Sequence, residues 1–257
     1  IFCIATTLKS LELGFDQVVI MDLSGQTVLI TGAAGGLGSA IALQCAELGA
    51  DLVLLDKNRR GLGELSDEIT GKGKAAPGLY PLNLAAAGVD DFNQLVETLG
   101  TEFDGLDALI HCAVDFDSLQ PLEQVQPQDW LQSMQVNVNA PWLLTCALLP
   151  LLRHSQNGRL FFLLDDLDTV TDGYWGAYGT AKAALTGMVR QFAASLNHTS
   201  ILVRGIIPGP MRTAFRAKVY HAENPMEQPC PSITARKITA MLSNNISDGE
   251  LIVKFSD

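Results

Sequence analysis

Two kinds of apolar pattern alternate along the chain. Short continuous runs are bounded by glycine or polar residues: TVLIT (27–31), DLVLL (51–55), ALIHCA (108–113), RLFFLL (159–164) and ILVRGII (201–207). Such runs predict strands buried on both faces. Residues 78–84 read as a further strand and 251–255 as a seventh. Between them, apolar positions recur at helical spacing over 36–48, 62–69, 89–99, 128–152 and 178–197, with an irregularity at Pro141. Repeated strand–helix units with continuously apolar strands predict an α/β fold. It is a single-domain, Rossmann-like, doubly wound parallel sheet with helices on both faces. MDLSGQTVLITG, from Met21, opens directly onto the first strand. Residues 1–20 are therefore expected to be an extension the fold does not need, and 21–257 the domain.

Composition narrows the partners. The chain has 257 residues, 47% hydrophobic and 18% charged, with a formal net charge of −11. That surface repels phosphate backbones and anionic bilayers, so neither nucleic acid nor membrane is expected as a partner. The most apolar stretch, PWLLTCALLPLL (141–152), is short for a membrane span and is read as a buried helix. Cys3, Cys45, Cys112, Cys146 and Cys230 are odd in number and lack a C-x-x-C pair. No zinc site or disulfide framework is expected, and reduced thiols fit a cytoplasmic setting. His111 reads as a strand residue. His154, His198 and His221 show no metal spacing.

Chemistry enters with the loop TGAAGGLG between the first strand and first helix. Gly32, Gly36 and Gly38 stand where the backbone must turn tightly and approach a dinucleotide pyrophosphate at a helix N-terminus. With Thr31 and Leu37 they are the candidate cofactor contacts. Asp56 ends the second strand, 18 residues after Gly38. A carboxylate there can accept hydrogen bonds from both adenosine ribose hydroxyls and repels a 2′-phosphate, which favours NAD(H) over NADP(H). Lys57 and Arg59 lie beside it and keep NADP(H) possible. Tyr178 and Lys182 are four residues apart and share one face of a helix. A nearby ammonium stabilises phenolate and brings a tyrosine toward the range of a working acid–base group.

TGAAGGLG, VNVNA (136–140), Tyr178-x-x-x-Lys182 and PGPMRT (208–213) come in the order and spacing of the short-chain dehydrogenase/reductase family. The chain resembles that family from Ser24 to about Leu242. The resemblance implies a nicotinamide cofactor, hydride transfer between an alcohol and a carbonyl in a small-molecule substrate, and a homodimer or homotetramer. It implies Tyr178 as general acid/base and Lys182 as the residue that binds the nicotinamide ribose and lowers the tyrosine pKa. Asn137 would hold a water in the proton relay. Thr213 would contact the carboxamide beside the Pro208-Gly209 backbone. Asn83 would lie near the adenine ring and Ala113 under the adenosine. The segment after Thr213, with Phe215 and Tyr220, would cover the substrate.

The pattern breaks at two places and departs mildly at a third, Asn83, where the family usually has an aspartate. The family places a serine 13 residues before the tyrosine, and this chain has Asp165 there. An ionised Asp165 would raise the tyrosine pKa and repel a developing alkoxide. A protonated one could donate as serine does, and a third possibility is pairing with a substrate amine. In IHCAV (110–114), Cys112 and Val114 replace an asparagine and a glycine, and Val114 is expected to crowd the cofactor. Two readings stay open: an oxidoreductase with an altered site, or a nucleotide-binding or interaction protein that has lost catalysis.

Overall fold

A computed structural model describes residues 22–103, 105–243 and 249–255. The expected extension at 1–20, with Cys3, lies outside the described residues. The elements run β1 (Thr27–Thr31), α1 (Gly36–Glu47), β2 (Asp51–Asp56), α2 (Arg59–Gly71), β3 (Gly78–Pro81), α3 (Val89–Glu102), β4 (Ala108–His111), α4 (Pro127–Met134), α5 (Ala140–His154), β5 (Arg159–Leu163), α6 (Leu167–Val170), α7 (Gly176–Leu196), β6 (Leu202–Ile207), α8 (Ala214–Val219), α9 (Pro231–Ala240) and β7 (Ile252–Lys254).

The seven strands form one parallel sheet in the order β3-β2-β1-β4-β5-β6-β7. The chain winds outward from β1 through β2 to β3, then returns to place β4 on the other side of β1. The crevice where direction reverses, above the carboxyl ends of β1 and β4, is the ligand site of such sheets.

Strand periodicity divides the core. Val28 and Ile30 of β1 pack with Ile41, Leu62 and Ile238, from α1, α2 and α9. Leu29, between them, packs with Leu95, Leu144, Leu148 and Val189, from α3, α5 and α7. Each strand thus supplies both layers, which is why its sequence is apolar without alternation. The helical span Pro127–His154 has the length and apolarity of a membrane-crossing helix. Its residues Leu144, Leu148 and Leu152 are fully buried in the second layer.

Three differences from expectation have a visible cause, while most other element ends shift by one to three residues. β3 stops at Pro81 because Asn83 opens a turn: its Oδ1 accepts from the Ala85 N–H and its carbonyl from the N–H groups of Ala86 and Ala87. β4 stops at His111 because the next two N–H groups, of Cys112 and Ala113, donate to Thr31 Oγ1, both at 3.2 Å. The long helix at 128–152 is two helices joined by a π-turn at Gln135–Asn139, in which the Ala140 N–H donates to the Gln135 carbonyl. The irregularity precedes Pro141, because proline has no N–H to return to the Asn137 carbonyl four residues back. Helices α6, α8 and α9 lie in stretches without a strong apolar period.

Candidate active site

The glycine loop is shaped by close approach. Gly32 has φ of 66°, and a Cβ there would lie 2.7 Å from the Ala113 Cα. A Cβ at Gly38 would collide with the Gly32 carbonyl oxygen. These two glycines let α1 start directly over the ends of β1 and β4. The N-cap of α1 is Gly35, with no side-chain cap and no acidic residue in the first turn. Such an end leaves N–H groups and positive dipole for an anion, so the loop fits a dinucleotide pyrophosphate. The Thr213 methyl lies over Gly36, where a Cβ would come within 2.9 Å of it.

Asp56 sits beside this loop. Its Oδ2 accepts from the Ala34 N–H at 3.0 Å and its Oδ1 from the Asn58 N–H at 2.9 Å. The carboxylate therefore fastens the loop to β2, and each oxygen keeps a lone pair for a ribose hydroxyl. Lys57 and Arg59 are exposed next to it. Asn83 is also exposed. Val114 is 38% exposed, so its side chain is not wedged between β1 and β4. Cys112 is an inert thiol, pushed up to about 12 by burial against the opposing pull of Lys182.

α7 carries Tyr178 and Lys182, both 4% exposed. The chain enters α7 through Tyr174 and Gly176, whose φ values of 75° and 49° turn it sharply. Gly179 then packs on the Val170 carbonyl of α6, where a Cβ would clash. That contact holds the loop after β5 close to α7, and Asp165 with it. The Tyr178 hydroxyl donates to Asp165 Oδ2 at 2.6 Å. The other Asp165 oxygen accepts from the Asp166 N–H at 2.8 Å. Lys182 Nζ donates to the Leu163 carbonyl at 2.8 Å and stands 5.5 Å from the Tyr178 ring centroid.

The electrostatics reverse one expectation. Burial, then the charge and hydrogen bond of Asp165, hold the Tyr178 pKa well above the ordinary phenol value. Burial lowers Lys182, against the Asp165 charge, which holds it up. In this arrangement Tyr178 is a phenol with its single proton committed to a carboxylate.

Asn137 is buried in the π-turn. Its Oδ1 accepts from the Asp115 N–H, and its Nδ2 donates to the carbonyls of Asp115 and Ser133 and to Ser133 Oγ. The side chain is used up in tying the loop after β4 to α4. Pro141, four residues on, has no N–H to return to the Asn137 backbone carbonyl. Thr213 caps α8, its Oγ1 accepting from the Arg216 N–H. Gly209, φ 73°, turns the chain after Pro208 beneath the Phe255 carbonyl.

Two site residues carry no signal in the sequence pattern. Phe116 and Trp175 close over Tyr178 with centroid distances of 5.5 and 5.8 Å, and Phe215 joins them at 5.7 Å. Tyr220 packs against Trp175. The available hint is position: Phe116 lies just beyond β4, at the carboxyl edge where such sheets bind ligands.

Comparison with known proteins follows the same outline. Residues 26–224 match the model of the short chain dehydrogenase family. The chain is 33% identical to the oxidoreductase YciK of Escherichia coli K12 over 210 residues, covering 82% of this chain and 83% of that one. Among solved structures, a short chain dehydrogenase from Pseudomonas syringae is 34% identical with TM-score 0.85, covering 91% of this chain and 96% of its own. A short chain dehydrogenase from Escherichia coli CFT073, complexed with NADPH, is 30% identical with TM-score 0.87, covering 92% and 98%.

Proposed function

The chain belongs to the short-chain dehydrogenase family and is an oxidoreductase, and from that premise we propose that Tyr178 manages the proton in its reaction. When bound, a nicotinamide supplies or removes the hydride. The chain's own residues do the rest. Gly32, Gly36 and Gly38 with the start of α1 receive the pyrophosphate, and Asp56 receives the adenosine ribose. Lys182, held by the Leu163 carbonyl, would bind the nicotinamide ribose. The Asn137 carbonyl holds a water behind Lys182 that links the site to solvent. Phe116, Trp175 and Phe215 exclude other water from the reacting atoms.

The observation that carries this reading is the buried Tyr178–Lys182 pair on α7, in a chain that also has the uncapped glycine loop at the start of α1. Asp56 favours NAD(H). The NADPH-bound relative and the exposed Lys57 and Arg59 keep NADP(H) as the second candidate. The committed phenol proton of Tyr178 supports a competing reading, a nucleotide-binding protein without turnover. Calorimetric titration with NADH and NADPH tests the cofactor assignment. Micromolar binding of either supports the oxidoreductase, with NADH tighter if Asp56 decides. Binding of neither sinks the assignment.

A homodimer or homotetramer is part of the same proposal. Trp142, Cys146 and Pro150 are exposed at successive turns of α5 and form one apolar stripe. A second copy is the occupant this stripe suits.

A further inference from the structure

We infer that this site handles a carbon–nitrogen bond: its substrate is an iminium ion bound by Asp165, or in reverse an amine that Asp165 binds as its ammonium ion and that loses its N–H proton to solvent before hydride leaves the carbon. The inference rests on the oxidoreductase reading above and names the substrate class for the same site. Four observations carry it.

The first is hydrogen-bond capacity. A carbonyl substrate gathers negative charge on oxygen as it is reduced and needs donors there. Tyr178 has one hydroxyl proton, and it points to Asp165 Oδ2 at 2.6 Å. The Lys182 ammonium is turned to the Leu163 carbonyl. What the pair presents to a ligand is therefore lone pairs: those of the Tyr178 oxygen and of the Asp165 carboxylate. A ligand N–H bearing positive charge complements that surface, and an alkoxide does not.

The second is the wall of the site. Phe116, Trp175 and Phe215 surround Tyr178 with centroid distances of 5.5 to 5.8 Å, and Tyr220 stands next to Trp175. Aromatic rings about a tyrosine whose hydroxyl meets a carboxylate make an environment that organic ammonium ions favour. The third is that these rings already attract cations, Lys218 standing 5.6 Å from the Phe116 centroid and Arg216 4.4 Å from that of Tyr220, with the charge of each also held by a protein acceptor. Lys218 donates to the Phe116 carbonyl at 2.6 Å, and Arg216 forms a two-pronged pair with Glu223 at 2.7 Å. The fourth is the net charge of −11, which draws cations toward the protein.

The reaction balances without an oxyanion. The iminium carbon receives hydride from the reduced nicotinamide. The C=N π pair withdraws onto nitrogen, a neutral amine forms, and the positive charge passes to the oxidised nicotinamide ring. The neutral amine no longer pairs with the Asp165 charge, which favours its release before it takes a proton from solvent.

The test compares 3,4-dihydroisoquinoline, kept mildly acidic so that it is protonated, with the ketone 1-tetralone. Binding of the product cation, 1,2,3,4-tetrahydroisoquinolinium, is followed separately by calorimetry. The wild-type protein is expected to reduce the iminium faster than the ketone by about tenfold or more, the worth of one charge-assisted hydrogen bond. Asp165→Asn should weaken binding of the ammonium by a similar factor, and Asp165→Ser should reverse the substrate preference. Cofactor binding with faster ketone reduction, or ammonium binding unchanged in Asp165→Asn, overturns the inference and leaves the oxidoreductase reading standing. Absence of cofactor binding overturns the oxidoreductase reading and this inference with it.

Discussion

At the scale of single residues, one substitution sets the character of the site. A serine beside Tyr178 would donate; Asp165 accepts. Removing that charge while keeping the side chain's shape should lower the Tyr178 pKa. The expectation for Asp165→Asn is an earlier tyrosine titration, read by NMR of tyrosine labelled at the ring carbon that bears the hydroxyl. A titration that stays put would mean that burial alone governs the phenol. His111 is a second informative residue. It stacks on Phe162 at 4.7 Å, its Nε2 pairs with Thr145 Oγ1, and its Nδ1 has no partner. Burial lowers its pKa from 6.5 to about 3. The folded state therefore refuses a proton that the unfolded state accepts below 6.5. Stability is full above that value and falls as pH drops toward 3, by about 1 kcal/mol at pH ~5.5. His111→Asn should flatten this slope between neutral and mildly acidic pH, measured by denaturant unfolding. An unchanged slope would assign acid sensitivity elsewhere.

At the scale of elements, the break between α4 and α5 positions Asn137. Pro141→Ala restores an N–H that can close an α-helical turn on the Asn137 carbonyl. We expect a folded protein whose turnover falls by about tenfold, because the carbonyl is drawn from the water it would hold. Circular dichroism and steady-state kinetics together check this, and full turnover would deny the carbonyl its role. The strands were legible because each feeds two layers, so Val28, Leu29 and Ile30 all had to be apolar. The helix break was visible through Pro141 but misplaced, since the effect of a missing N–H appears four residues earlier. The spacing from Asp165 to Tyr178 was countable, and the conflict between them foreseeable. That Tyr178 would give its proton to Asp165 depends on Gly179 seating α7 on α6, a contact between segments that carries no periodicity. The ring of Phe116, Trp175 and Phe215 is assembled by two loops and helix α8, from three parts of the chain, and no local pattern announces it.

At the scale of the whole molecule, two layers bury nearly all of the large apolar side chains of the sheet, yet α5 keeps its outward stripe. Trp142→Glu places a charge in the middle of that stripe and should shift the protein toward monomer in light scattering, with its circular dichroism unchanged. Retained assembly would move the interface to another face.

The short helix α8 joins two regions that are far apart in sequence. At one end its cap Thr213 rests on Gly36 of the glycine loop; along its length Phe215 and Val219 pack against Tyr178. One rigid turn cannot leave the first without loosening the second. A dinucleotide that shifts Thr213 as it binds is therefore expected to arrive before the substrate and leave after the product. Initial-rate patterns with product inhibition should reveal a compulsory sequence, and random addition would mean that the two ends of α8 move independently.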